Sequence, residues 1–351
     1  MRFKTVSYRD KACTVIEAFS MLMPDSWSFE GGIRWSADHV MMPATCGFKA
    51  SGCGVEIQAL PGQAFFWTSL PQVRMSHPVG STYLGATVCP PITAPDFIRR
   101  IMLPALRDDA DELTLVSESQ PVDMGNTLGF EATFKSCGIS ESCGAGARVK
   151  YQQNAKEFEE ELYCTITSFK FALPAGGDLI DCVFWMADSL FSFRGERGRI
   201  DEVKDILQTV MYSIRYNPQW LDKNNRIVLF LKDRQINKPY SLRQLSIDLD
   251  GGVVQYSDGM QYRDQRQSAY RWIADSLCRN NSTDEYYDPI QQICVRLPAG
   301  YDDAWASDTG EYLLSNHNDL SSDNRFTEIW KVMEPLRVEP AVNTPQLAGN
   351  V

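Results

Sequence analysis

The chain has 351 residues, 44% of them hydrophobic and 23% charged, with 34 Lys and Arg against 45 Asp and Glu. That supplies a sizeable core, and the length fits about two domains. A net charge of −11 argues against a generic phosphate-backbone binder, which needs a basic surface to displace counterions, and no apolar run approaches the roughly 18 residues of a membrane span.

The start, Met1-Arg2-Phe3-Lys4, lacks the charged-then-apolar pattern of a secretory signal, so a cytoplasmic chain is expected. Val55, Ile57 and Ala59 alternate with Glu56 and Gln58, the two-residue period of a half-buried strand that Pro61-Gly62 ends. Tyr83 to Val88 and Leu128 to Phe134 are similar short strands. Thr93-Ala94-Pro95-Asp96 reads as a helix start, with Phe97, Ile98, Ile101, Met102 and Ala105 on one face and Pro104 ending or kinking it. Over 158–171, Phe158, Leu162, Cys164 and Ile166 point one way and Glu159, Glu161, Thr165 and Thr167 the other. Such alternation predicts an antiparallel sheet whose polar face is solvated or covered by a polar partner. Leu179 to Ala187 reads as a central strand.

Val203, Ile206, Leu207, Val210, Met211 and Ile214 recur at helical steps until Asn217-Pro218, and that stripe reads as a core face. The apolar run Ile227 to Leu231 fits helix or strand equally. Asp250-Gly251-Gly252 reads as a turn. Between Ser257 and Arg279, Tyr270, Ile273, Ala274 and Leu277 predict a largely exposed helix docked by its C-terminal half. Ile293, Val295 and Leu297 alternate ahead of Pro298-Ala299-Gly300 in a strand-and-turn segment over 286–316.

Several phrases together resemble a group of uncharacterised bacterial proteins related to the PsbP-like fold. They are Pro24-Asp25-Ser26-Trp27, Glu30-Gly31-Gly32-Ile33-Arg34-Trp35, Leu60-Pro61 before Phe65-Phe66-Trp67, and Ser192-Phe193-Arg194-Gly195-Glu196-Arg197-Gly198. Ser213 to Trp220, Leu297-Pro298-Ala299-Gly300-Tyr301 and Gly310-Glu311-Tyr312-Leu313-Leu314-Ser315 complete the set. The resemblance implies an antiparallel sheet flanked by helices. It also implies a non-enzymatic role, because characterised members of that fold serve as a photosystem subunit or a nuclear-transport GTPase partner. The expected architecture is therefore α+β: a PsbP-like domain over 1–220, a helix-plus-β-hairpin extension over 221–335 packed on it, and a loosely held tail over 336–351.

Catalytic and metal motifs are sparse. Cys46/Cys53 and Cys137/Cys143 form two glycine-flanked pairs, with gaps wider than a structural zinc site normally uses; reduced thiols are expected, and no metal or cofactor. The three histidines, His39, His77 and His317, show no ligand spacing. There is no Gly-x-Ser-x-Gly elbow and no phosphate loop. Two clusters are candidate binding residues. Arg194, Arg197 and Arg199 precede the 201–214 helix and are placed to grip a carboxylate or phosphate, or to pair with Glu196, Asp201 and Glu202. Asp302, Asp303, Trp305 and Tyr312 interleave acids with aromatics, as a contact surface or as anchors of the C-terminal sheet. The expected function is a non-enzymatic module that binds another protein, without nucleic acid or membrane insertion. The alternative is a cysteine-dependent hydrolase or transferase, which requires an accessible low-pKa thiol beside an imidazole.

Overall fold

The computed structural model describes residues 1–124 apart from 41 and 84, together with 138–175, 178–234, 259–278, 282–316 and 330–336. The strand expected over 128–134, the turn at Asp250, His317, Cys137 and the tail beyond 336 lie outside them.

In chain order, β1 (Arg2–Arg9) and β2 (Glu17–Pro24) form a hairpin, and β3 (Ser28–Trp35), β4 (Ala44–Gly52) and β5 (Val55–Leu60) a meander. β6 (Gln63–Thr68), α1 (Pro71–Ser76), β7 (Thr82–Tyr83) and β8 (Ala86–Val88) follow. α2 begins at Ala94–Phe97, passes through a π turn over Ile98–Met102 and closes with Leu103–Leu106. β9 (Asp111–Glu118) and β10 (Val122–Asp123) precede three long strands, β11 (Gly138–Gln153), β12 (Lys156–Ala175) and β13 (Asp178–Glu196). Then come α3 (Arg199–Glu202), α4 (Lys204–Ser213), β14 (Arg215–Tyr216), α5 (Pro218–Arg234) and α6 (Gly259–Leu277). The described residues finish with β15 (Thr283–Asp288), β16 (Ile293–Pro298), β17 (Asp303–Ser307), β18 (Tyr312–Ser315), β19 (Trp330–Val332) and β20 (Glu334–Pro335).

The helix-flanked α+β architecture expected from the sequence is not what forms. The described residues are mostly sheet, 51% strand against 23% helix, and the largest sheet curls into a half-barrel. That sheet runs β10-β11-β12-β13-β5-β4-β3, with β6 also paired to β13. The reason for the curl sits in the long strands. β13 pairs with β6 along Cys182–Ala187 and with β5 along Leu190–Gly195, changing partner around Ser189, whose φ of +50° bends the strand. At this point the register with β12 shifts: Tyr163 faces Phe191 and Thr165 faces Asp188, so β13 carries one extra residue as a bulge. A bulge adds a residue to one strand only and so coils the ladder.

The alternation read in β12 is realised. Leu162, Cys164 and Ile166 pack on one side with Phe97, Ile98 and Trp185 under α2, while Glu159, Glu161, Thr165 and Thr167 face the other way and are also buried. Thr93 caps α2, its hydroxyl accepting the Asp96 N–H at 3.3 Å. Pro104 neither ends that helix nor stands in a regular interior: the π turn before it absorbs the hydrogen bond that a proline cannot donate. The ambiguous 227–231 run is helical, inside α5.

A second sheet, β14-β2-β1-β18-β17-β19, joins the two ends of the chain, and β16-β15-β20 forms a third. Between these sheets and the half-barrel lies the main core, where Phe3, Phe19, Phe191, Val210, Trp220, Ile273, Leu297 and Leu314 belong to one cluster. Residues on both sides of position 220 thus share one interior. At its margin the fully buried Asp10 closes the β1–β2 connection. Its Oδ1 accepts the N–H groups of Ala12 (3.2 Å) and Cys13 (3.3 Å). Its Oδ2 accepts from the Thr14 backbone (3.3 Å), the Thr14 hydroxyl (2.9 Å) and the indoles of Trp35 and Trp220 (3.0 Å each). No helix among the described residues is long and apolar enough to cross a membrane.

Candidate functional site

α4 is amphipathic, and its last turn does more than pack. Ser213 Oγ accepts the Leu22 N–H at 2.8 Å and donates to Val210 O at 2.7 Å, tying the helix end to β2. Arg215 follows and donates to the carbonyls of Tyr212 and Ile214, a cation on a helix C-terminus. α6 lies beside α4: Gln208 Nε2 donates to Ala274 O at 2.9 Å, and Tyr212 Oη donates to Asp275 Oδ1. Burial, reinforced by Asp275, pushes the Tyr212 phenol up to about 12, so it stays a donor at neutral pH.

The β15–β16 hairpin closes the opposite wall. Buried Asp288 holds its turn by accepting the Ile290 and Gln291 N–H groups at 2.7 and 3.0 Å, and binds Tyr312 Oη at 2.9 Å. The hairpin is thereby fixed to β18. Between hairpin, α4, α6 and the β1–β2 sheet opens a groove of about 550 Å³, lined by Tyr212, Arg215, Arg271, Asp275, Glu285 and Arg296 among others. Arg271 precedes Asp275 by one helical turn, yet Asp275 binds Tyr212 and Arg271 makes no hydrogen bond or ion pair among the described residues. Glu285 and Arg296 are directly opposed across the hairpin. They do not pair either: the Arg296 guanidinium lies 4.6 Å from the centroid of the Tyr212 ring, and the Glu285 carboxylate has no partner among the described residues.

A second cavity, about 500 Å³, lies beside β9, β11 and the end of α6. Arg148 and its acids are shared among themselves. Arg148 binds Glu159, Glu161 at 3.3 Å and Asp201 at 2.7 Å, and Tyr163 Oη donates to Glu161 at 2.6 Å. Burial raises the Glu161 carboxyl above its ordinary range, whereas for Glu159 the same effect is outweighed by Arg148 and Lys150, which hold it low. Arg148, on β11, is the polar partner of Glu159 and Glu161 on this face of β12.

Each arginine of the sequence cluster has a partner of its own, Arg199 with one of the acids expected for it. Arg194 Nε donates to Tyr151 Oη at 2.8 Å and its guanidinium stacks 4.0 Å from the Phe158 centroid, Arg197 pairs with Glu157 at 2.9 Å, and Arg199 pairs with Glu202. In the other cluster Asp302 is exposed, its N–H donating to Asn316 Oδ1 at 3.3 Å. Asp303 and Trp305 sit in β17, opposite Ser315 and Leu313. Tyr312 is buried as the hairpin's anchor. Of these residues only Tyr312 reaches the groove.

Burial pushes Cys46 up to about 11 and raises Cys89, Cys143 and Cys164 as well. Cys46, Cys53 and Cys143 are free thiols, and no group of His, Cys, Asp and Glu among the described residues is arranged to hold a metal ion. Sequence reading missed Arg271, Glu285 and Arg296. The four-residue step from Arg271 to Asp275 and the hairpin register that opposes Glu285 to Arg296 were the available signals. No family model matches the sequence and no curated protein matches it, so the chemistry of the groove carries the functional argument.

Proposed function

We propose that this chain is a non-enzymatic, cytoplasmic binding module that seats its partner in the groove between α4, α6 and the β15–β16 hairpin. The observation that carries the reading is the pair of unspent charges, Arg271 and Glu285, in one cavity where Arg296 lies over the Tyr212 ring and Arg215 and Asp275 are already engaged. Arg148 in the second cavity shows the contrast, its guanidinium being shared among Glu159, Glu161 and Asp201. The volume lies within the range of ligand sites. The cysteine-dependent alternative is disfavoured because a catalytic thiol needs its pKa lowered, and the four thiols with resolved shifts move the other way.

A thermal-shift screen of charged small molecules and short peptides tests it. Ligands should raise the Tm of the wild type and fail to do so for Arg271→Glu. A single cysteine that iodoacetamide modifies rapidly at neutral pH, and whose serine variant loses an ester-hydrolysis activity, would overturn the reading.

A further inference from the structure

The charge around the groove differs from that of the chain as a whole. The protein carries −11, but three guanidiniums face two carboxylates here, and one of those carboxylates is occupied. Arg215 is fixed on the carbonyls that end α4. Asp275, the acid one turn beyond Arg271, accepts from Tyr212 instead. Arg296 is kept from its cross-strand acid Glu285 by its position over the Tyr212 ring. Tyr212 therefore acts twice: its hydroxyl takes up the acid and its ring orients a base, and both steps leave guanidinium donors facing the cavity. Guanidinium forks match the planar two-oxygen geometry of carboxylates better than any other side chain.

Size and surroundings narrow the ligand. About 550 Å³ exceeds the volume of a single inorganic anion many times over, and the same groove is lined by Met21, Leu22, Ile293 and Val295. Ile293 is 46% exposed on the hairpin. A ligand that satisfies the walls thus brings carboxylate, apolar side chains and an N–H donor for Glu285 within a short length. We propose that the groove binds an extended acidic peptide segment of a partner protein, with an Asp or Glu carboxylate held by Arg271 and Arg296. This rests on the groove being the binding seat, and adds the class of its occupant.

Fluorescence polarisation with labelled hexapeptides tests it on the full chain. An Asp/Glu-containing peptide with apolar flanks should bind, and each of Arg271→Ala and Arg296→Ala should weaken it about tenfold. Added salt should weaken binding too, and Arg271→Glu should shift preference toward a Lys-containing peptide. Equal binding of the acidic peptide to wild type and to the double alanine variant overturns the proposal, as does its absence. A neutral or basic peptide that binds in an Arg271-dependent way overturns the acidic class while leaving the groove as the seat. Displacement of the acidic peptide by glutarate or inorganic phosphate at equal concentration overturns the peptide in favour of a small anion.

Discussion

Replacing Asp10 by alanine removes one carboxylate that answers six donors, and the structure indicates which of them suffer. Trp220 is 3.0 Å from Oδ2 and only 2% exposed, and Thr14 is 4% exposed; neither has water to turn to. Trp35 is half-buried and recovers part of its loss through solvent. Two buried donors left unsatisfied at about 1–3 kcal/mol each, plus the loss of charge-assisted bonds to the loop amides, sum to about 4–6 kcal/mol. That is comparable with the whole stability of many domains. Asp10→Asn should be milder, about 2 kcal/mol, because one carbonyl oxygen can still serve the four donors on the Oδ2 side while its amide opposes the Ala12 and Cys13 N–H groups. Urea unfolding followed by tryptophan fluorescence measures both. A loss below about 1 kcal/mol for Asp10→Ala would refute the reasoning, since it would mean that the two indoles gain nothing net from the carboxylate.

Gly32→Ala places a Cβ 2.1 Å from the Tyr8 ring, which is itself stacked on Phe19, at a φ of +150°, and should cost about 3 kcal/mol in the same assay. Glu160→Leu strands Arg107, its buried partner at 2.6 Å, and should cost about 3–5 kcal/mol, while the double variant Arg107→Met/Glu160→Leu recovers most of it. Glu161 holds its proton more tightly folded than unfolded, so its contribution is fully present below the ordinary carboxyl value of 4.5 and is lost as pH rises through the raised folded value. Glu159 behaves oppositely, stabilising above 4.5 and losing that as pH falls through its depressed value. Unfolding titrated against pH should therefore show Glu161→Gln flattening the decline just above 4.5, and Glu159→Gln destabilised at neutral pH with a deficit that shrinks on acidification. In mass-resolved iodoacetamide labelling, exposed Cys53 and Cys294 should react before Cys46 and Cys164.

Local periodicity was legible in the sequence. The two faces of β12 and the stripe Ile206, Leu207, Val210 and Met211 on α4 follow from spacing alone, because each residue's side is set by the repeat of its own element. The curl was not legible: neither the bulge opposite Tyr163–Thr165 nor the left-handed backbone of Ser189 has a compositional sign, since both arise where β13 exchanges one neighbour for another. That single feature separates a half-barrel from a flanked flat sheet. Asp10 looked like one charge in Arg9-Asp10-Lys11, and only the fold sets two tryptophans around it. The groove was hidden for the same reason. Its arginines come from α6, β16 and β14, and adjacency in the chain, which drew notice to Arg194, Arg197 and Arg199, says little about adjacency across sheets.

The pairing of β1 with β18, Arg2 opposite Leu313, sets a timetable for biosynthesis. β1 leaves the ribosome with β2 for company, and its other edge stays bare until Tyr312 and Leu313 have been made. Loop closure over such a span is slow, and an uncovered ribbon invites wrong partners meanwhile. Truncations that stop before residue 312 should accordingly be prone to aggregation, whichever part of the half-barrel they retain.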